Sequence, residues 1–345
     1  MKAKSVAVKQ KLAEKTRKQF LQKDIIISDL KIKKENGMVY IPIKEDKKID
    51  KKYKIIIKNF EKNKKKVKNY KEIISLPESQ KNELPSSFDI IGNILLLKLE
   101  QGLQNYKKEI GKSFLDTNKN IKTVCLVKPI RGEYRTRSIE IIAGDNNTET
   151  THTEFGLKIK LDIEKTYFSP RLANERRRIA GLVKKGEIIV DMFTGVAPFS
   201  LMIAKYADPK IIYAIDKNKY AIKYAQENVK KNNVLNKIEI IYEDAGIFSH
   251  ILNKKDVKAN RIIMNLPFSS YLFFKNALDI IDSNGIIHYY DILAENEIEK
   301  RIEYLEKTAE KKKKSLKIKN IKKIKSYAPR EFYIGIDIMA KKMPM

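Results

Sequence analysis

From residue 171 onward, apolar and polar positions recur in a regular alternation. "RLANERRRIAGLV" (171–183) spaces its apolar residues as a helix does. "GEIIVDMFTG" is then a short apolar run that stops at an acid and a glycine turn, and the apolar stretch "APFSLMIAKYA" after it reads as a helix. The unit recurs as "KIIYAID" followed by the helical "NKYAIKYAQENVKKN". "IEIIYEDA", "ANRIIMNLP" and "NGIIHYYDI" supply three further strands, the first two with polar ends. Strands alternating with helices predict an α/β, Rossmann-like doubly wound sheet over 161–345, in which ligands bind beyond the carboxyl ends of the strands.

The earlier chain has a different pattern. "VAVKQKLAEKTRKQFLQKDI" places Val6, Leu12, Phe20 and Leu21 at near-helical spacing, and "ISDLKIKKENGMVYIPIK" alternates like a hairpin about Asn36-Gly37. A small basic N-terminal domain over 1–75 follows. The lysine run "KNFEKNKKKVKNYKE" reads as a solvated face or linker, with phosphate contact as the alternative. Pro85 breaks the chain before the strand-like "NILLLKL", a helix through "NYKKEIGKSFLD", and the strands "TVCLVK", "RSIEIIAG" and "GLKIKLDI". These make an α+β middle domain over 76–160.

Charge changes this picture. Lys and Arg number 72 against 43 Asp and Glu in 345 residues, a formal charge of +29. Such an excess calls for a polyanionic partner rather than mere solubility. No apolar run reaches spanning length, and the N-terminus lacks the apolar core of a signal peptide, so a cytoplasmic protein is expected. One cysteine, Cys125, rules out an intramolecular disulfide. His152, His250 and His288 are scattered, without metal-ligand spacing, so metal catalysis is not expected. The abundance of Lys, Ile and Glu fits either growth at high temperature or an AT-rich genome.

The strand ends carry the candidate chemistry. "DMFTGVAPFS" has a single glycine and no Walker lysine, which argues against a pyrophosphate ligand. Asp191, Asp216 and Asp244 close three successive strands. An acid after the second strand can accept both hydroxyls of a ribose, and Asp244 can accept from an adenine amine. Each acid alone could be a helix N-cap. Together, near a glycine turn, they point to a nucleoside without phosphates, hence to S-adenosylmethionine, with Phe193, Gly195, Lys217 and Ala245 beside them.

Together "YFSPRLANER", "VDMFTGVAPFS", "AIDKNKYAIKYAQENVKKN", "EDA" and "MNLP" resemble the archaeal and eukaryotic tRNA guanine-N1 methyltransferases. "LPSSFDIIGNI", "GEYRTRSIEIIAGDNNTETTHTEFG" and "SYAPREFYIGIDI" extend the likeness over nearly the whole chain. The resemblance implies a class I methyltransferase fold, S-adenosylmethionine as cofactor, and tRNA as partner, methylated on the guanine 3′ of the anticodon. Relatives in wyosine biosynthesis methylate a tricyclic derivative of that guanine, or transfer an aminocarboxypropyl arm. A non-catalytic RNA-binding protein is the reading from another class.

Guanine N1 bears a proton at neutral pH, so the reaction needs a base within reach, and a cation near O6 lowers the barrier further. The resemblance makes Glu175 the base and Arg135 the O6 partner, with Arg137 competing for that place and Tyr167 placing base or cofactor. Glu175 also stands three positions before Arg178, the spacing of an ordinary helix ion pair. Asn265 and Pro267 stand where acceptors for an exocyclic amine are expected. Phe268, with Ser269 beside it, is placed to stack on the target base or to join the core. Nothing in the sequence demands more than a monomer.

Overall fold

The computed structural model describes residues 1–63, 69–131 and 136–343. It divides into two compact units, Met1–Glu72 and Ile73–Met345.

In the first unit, strand β1 (Lys2–Lys9) leads directly into helix α1 (Gln10–Gln22), and β2 (Lys33–Glu35), β3 (Met38–Pro42) and β4 (Lys54–Asn59) complete an antiparallel sheet ordered β2-β3-β1-β4. Asn36 (φ 48°) and Gly37 (φ 73°) close the β2–β3 hairpin, both in the left-handed region that a two-residue turn of this hand requires. Val6, Val8, Phe20, Val39, Ile41 and Ile43 bury together. The helix expected from Val6 onward begins only at Gln10, and carries Leu12, Phe20 and Leu21. "KAKSVAVK" lies between β3 and β4 as the central strand, which puts Val6 in the sheet, and Leu12 and Leu21 face solvent.

The second unit opens with α2 (Glu78–Glu83), β5 (Phe88–Ile91), β6 (Ile94–Leu97), α3 (Lys107–Thr117), β7 (Thr123–Arg131) and β8 (Thr136–Gly144), the strands forming one sheet in chain order. A hairpin, β9 (Glu149–Glu154) and β10 (Leu157–Asp162), follows. Gly92, at φ 57° in the β5–β6 turn, lies so near β9 that a Cβ would stand 2.1 Å from Thr150 Oγ1.

The remaining chain is α4 (Ala173–Leu182), β11 (Ile188–Asp191), α5 (Pro198–Tyr206), β12 (Ile211–Asp216), α6 (Lys219–Lys231), β13 (Ile238–Tyr242), α7 (Ala245–Lys254), β14 (Ala259–Met264), α8 (Phe274–Ile280), β15 (Ile281–Ala294), α9 (Ile298–Glu310), β16 (Lys314–Ala328) and β17 (Glu331–Lys342). The seven strands are ordered β13-β12-β11-β14-β15-β17-β16. The first five run parallel; beyond β15, β17 runs antiparallel, and the edge strand β16, antiparallel to β17, runs again in the direction of the first five. Helices α4 to α6 bury Ile179, Phe199, Leu201 and Tyr224 on one face, and α7 to α9 bury Leu252, Phe274, Ala277 and Leu305 on the other. The near-continuous apolar runs of β11 and β14 are what a strand covered on both faces requires. The lysine-rich "KKKKSLKIKNIKKIK" is largely the outermost strand β16, where lysines discourage pairing with another sheet.

Candidate active site

A cavity of about 500 Å³ opens beyond the carboxyl ends of β11, β12 and β14 and is lined from Tyr167 to Phe273. Tyr167, Phe193, Gly195, Asp216, Lys217, Asp244, Ala245, Asn265, Pro267, Phe268 and Ser269, named above from sequence alone, all line it. The strand order brings them together, since β12, β11 and β14 are neighbours although the loop between β11 and α5 and the 265–270 loop are far apart in the chain.

The turn after β11 is built around two carboxylates. Gly195 sits at φ 57°, and its N–H donates to Asp216 Oδ2 at 2.7 Å, while Asn218 N–H donates to Oδ1 at 2.9 Å. These two bonds occupy two of about four lone-pair positions, leaving a carboxylate at the cavity wall still able to accept. Burial raises the Asp216 pKa above the usual aspartate value against the pull of those amides. Asp244 also lines the cavity and is at the same time the N-cap of α7, accepting from Gly246 N–H at 2.8 Å. Site and cap coincide in one side chain.

Asp191 departs from expectation. It is buried beneath the turn and does not line the cavity. Its Oδ2 accepts from Ser200 Oγ at 2.7 Å and Thr194 Oγ1 at 2.9 Å, and its Oδ1 has no hydrogen-bond partner among the described residues. Burial pushes its pKa up to about 6, against the two hydroxyl bonds and helped by the charge of Asp216. Asp191 therefore shapes the turn from below. Ser200 and Thr194 were the missed residues here, and only their distance from Asp191 in space reveals them.

The 265–270 loop is clamped at several points. Ser270 Oγ donates to Met264 O at 3.0 Å and accepts from Leu266 N–H at 3.1 Å. Ser269 N–H donates to Leu266 O at 3.0 Å. Phe268 stands at φ 69°, strained for a residue with a side chain, and its N–H donates to the buried Asp291 Oδ1 at 2.9 Å. Its half-exposed ring meets Tyr327 edge to face at 5.5 Å, so it faces the cavity mouth rather than the core. Tyr333 donates its hydroxyl to Asn265 Oδ1, a carbonyl oxygen with a second lone pair.

Glu175 is placed differently from its expected position in the pocket. It is 2% exposed and is not among the lining residues. Arg178 Nη2 and Nε donate to its two oxygens at 2.6 and 2.9 Å, Tyr290 OH donates to Oε1 at 2.9 Å, and Lys322 Nζ lies 3.4 Å from Oε2. Burial opposes its ionisation, but Arg178, Tyr290 and Lys322 outweigh it, and the pKa lies below the ordinary glutamate value. The i,i+3 pair with Arg178 does form, on a buried rather than an exposed face. Its neighbour Arg176 lines the cavity and pairs with the buried Glu154, Nε to Oε1 at 2.7 Å. Arg135 lies outside the described residues, as does the side chain of Arg137.

A seven-stranded sheet, parallel but for the single reversed strand β17 next to its edge, with a nucleoside-sized cavity over its carboxyl ends, defines a class I S-adenosylmethionine-dependent methyltransferase. The donor set fits that cofactor: acceptors on Asp216 and Asp244 for hydroxyl and amine hydrogens, and Phe193 and Phe273 packed edge to face at 5.0 Å on the same wall. The chain matches the TRM5/TYW2 methyltransferase domain over 150–317, the TYW2 N-terminal domain over 70–148 and the tRNA methyltransferase 5 N-terminal domain over 5–52. It belongs to the TRM5/TYW2 family of tRNA methyltransferases. It is 34% identical to the tRNA (guanine(37)-N(1))-methyltransferase Trm5b of Methanocaldococcus jannaschii, over 97% of this chain and 98% of that protein. It is 33% identical to the tRNA(Phe) (4-demethylwyosine(37)-C(7)) aminocarboxypropyltransferase of the same organism, over 72% of this chain and 95% of that one. Among solved structures, the complex of aTrm5 and tRNALeu matches with a TM-score of 0.76 and 34% identity, covering 97% of this chain and 99% of that one. The Methanocaldococcus jannaschii Trm5 complex with adenosine gives 0.65 and 33%, covering 99% and 100%.

Proposed function

We propose that this chain transfers the methyl group of S-adenosylmethionine to N1 of the guanine 3′ of the anticodon, position 37, in tRNA. One observation carries this reading over its relatives in the wyosine pathway. The guanine methyltransferase of Methanocaldococcus jannaschii matches the chain over nearly its whole length, whereas the aminocarboxypropyltransferase, almost all of it aligned, leaves about a quarter of this chain without counterpart. The unit Met1–Glu72 contains the match to the tRNA methyltransferase 5 N-terminal domain. We read it as a tRNA-recognition domain, followed by the middle segment to residue 160 and the catalytic segment beyond.

When bound, S-adenosylmethionine supplies a methyl carbon on a positive sulfur, which leaves sulfur as it bonds to N1. Asp216 holds the ribose hydroxyls and Asp244 the adenine amine, both as acceptors. Gly195, Phe193, Lys217 and Ala245 complete that wall. Asn265 and the loop at Pro267 accept from the guanine edge and turn N1 toward the methyl group, with Tyr167 across the cavity and Phe268 and Ser269 at the mouth against the base. Glu175 does not line the cavity, so to act as the base it must turn out of its pair with Arg178 toward N1; there it takes the N1 proton, breaking N–H and forming O–H, and Arg135, or Arg137 beside it, offsets the charge developing on O6. The low pKa of Glu175 keeps it ionised at neutral pH, so its protonation state suits a base. Asp191 acts only through the turn it supports.

Mass spectrometry of nucleosides from unmodified tRNA incubated with the protein and S-adenosylmethionine tests the reading. A single methyl on guanosine at position 37 is expected. An aminocarboxypropyl adduct, or methyl only on a tricyclic base, would overturn it. The enzyme is taken to act as a cytoplasmic monomer, for which light scattering should give a species near 40.1 kDa.

A further inference from the structure

Behind Glu175 runs a buried chain of charged groups that the proposed reaction does not use. Arg178 lies between two carboxylates: besides its two bonds to Glu175, its Nη1 donates to Asp337 Oδ2 at 2.7 Å and its Nη2 approaches Oδ1 at 3.1 Å. Asp337, on β17, accepts in turn from His288 Nδ1 on β15 at 2.6 Å. His288 Nε2 faces Arg261 Nη1 at 2.7 Å, and Arg261 forms a two-pronged pair with Glu187. A guanidinium can only donate. His288 therefore accepts at Nε2, carries its proton on Nδ1 and is neutral, in agreement with the lowering of its pKa by burial.

The groups facing Glu175 are Arg178 on its own helix, Tyr290 on β15 and Lys322 on β16, with Asp337 on β17 reaching it through Arg178. Lys322 is 43% exposed and its charge is largely screened by water. Glu175 and Asp337, which are buried, and the partly buried Arg178 between them sum to one negative charge before proton transfer and to zero after it. Without Asp337 the same step would end with the partly buried Arg178 guanidinium lacking a counter-ion, a costly state. Asp337 also divides the attention of Arg178, which otherwise would belong wholly to Glu175 and weaken it as a base.

We propose that Asp337 is a positioning residue for the methyl transfer: it retains the Arg178 guanidinium when Glu175 takes the proton from guanine N1 and gives up its ion pair. This rests on Glu175 being the base. The low pKa that Asp337 owes to His288 and Arg178, against its own burial, keeps it ionised throughout the working pH range.

The test is a double-mutant cycle read as single-turnover methylation rates between pH 4.5 and 8, with saturating tRNA and S-adenosylmethionine. Arg178→Gln should bring the acidic limb upward into this range, because burial then dominates the pKa of Glu175. Asp337→Asn should lower the plateau rate by about tenfold, the size of one pKa unit. Added to Arg178→Gln, it should change neither plateau nor limb, since its partner is gone. Removing both partners of a buried pair is gentler on folding than removing one, so the comparison of Arg178→Gln with the double variant stands even if Asp337→Asn alone does not fold. Should the double variant be slower than Arg178→Gln, or its limb differ, Asp337 acts otherwise than through Arg178 and the proposal falls. Should Arg178→Gln leave the limb where it was, the proposal falls too. Glu175→Gln, run alongside, separates the two levels: a wild-type rate in that variant removes the base itself, whereas a slow one with additive Asp337 effects removes only the positioning role.

Discussion

In the proposed reaction, two carboxylates divide the work at the scale of single residues. Glu175→Gln keeps the shape of the side chain and one acceptor oxygen, able to take the bonds from Tyr290 and one arm of Arg178, yet cannot take a proton at neutral pH. Single-turnover methylation should fall by about 10²–10⁴-fold while cofactor and tRNA affinities stay close to wild type. The sign of the pH dependence follows from the lowered pKa: activity is present above it and lost as pH falls through it. The limb should therefore lie below the range of an ordinary glutamate, and Glu175→Gln should lack it. Asp216→Ala tests the other carboxylate. Losing an acceptor for ribose hydroxyls should weaken S-adenosylmethionine by up to about 1.5–3 kcal/mol per bond, with tRNA affinity nearly intact, as measured by calorimetry. Unchanged cofactor affinity would take Asp216 out of the site.

The decisive element is the loop that follows β14. Its Asn-Leu-Pro-Phe sequence is legible as a polar strand end, but what holds it is not. Asp291, on the neighbouring strand β15, collects Phe268 N–H, Ile292 N–H, the Tyr289 hydroxyl at 2.7 Å and the Arg301 guanidinium at 3.1 Å. Nothing in "HYYDI" marks that aspartate as more than another strand residue. Asp291→Ala would leave Arg301 and Tyr289 without their buried acceptor, a loss of about 3–5 kcal/mol for breaking one side of a buried pair. Urea unfolding should show the destabilisation, and the freed loop should raise KM for tRNA. A variant as stable as wild type would mean that water replaces the carboxylate.

The basic charge is a property of the whole molecule. If it serves tRNA binding, affinity must fall steeply with salt, the log–log slope reporting the several phosphates neutralised. A flat dependence would assign the lysines to solubility or thermal stability instead. The lysines of β16 do double duty in this picture. Lys322 reaches Glu175, Lys323 reaches Glu295 at 2.7 Å, and the strand as a whole closes the sheet with a charged edge.

Local pattern was enough for the doubly wound sheet, the Asn36-Gly37 hairpin and the strand-end acids Asp216 and Asp244 of the cavity wall. Buried parallel strands must be apolar along their length, and a ligand site at their carboxyl ends must begin with the first polar residue after each run, so both leave marks in the linear sequence. Tertiary structure decided what pairs with what. Val6 reads as helical by spacing, but its neighbours in space are β3 and β4, and strand pairing overrode the local period. Asp191 and Asp216 are indistinguishable as strand-end acids, yet one lies under the turn and the other at the cavity wall. Glu175 and Asp337 are 162 positions apart and share one guanidinium because β17 returns antiparallel beside β15. Short-range periodicity records burial and backbone form; the partner of a buried charge depends on which distant strand the fold sets next to it, and that information is spread over the whole chain.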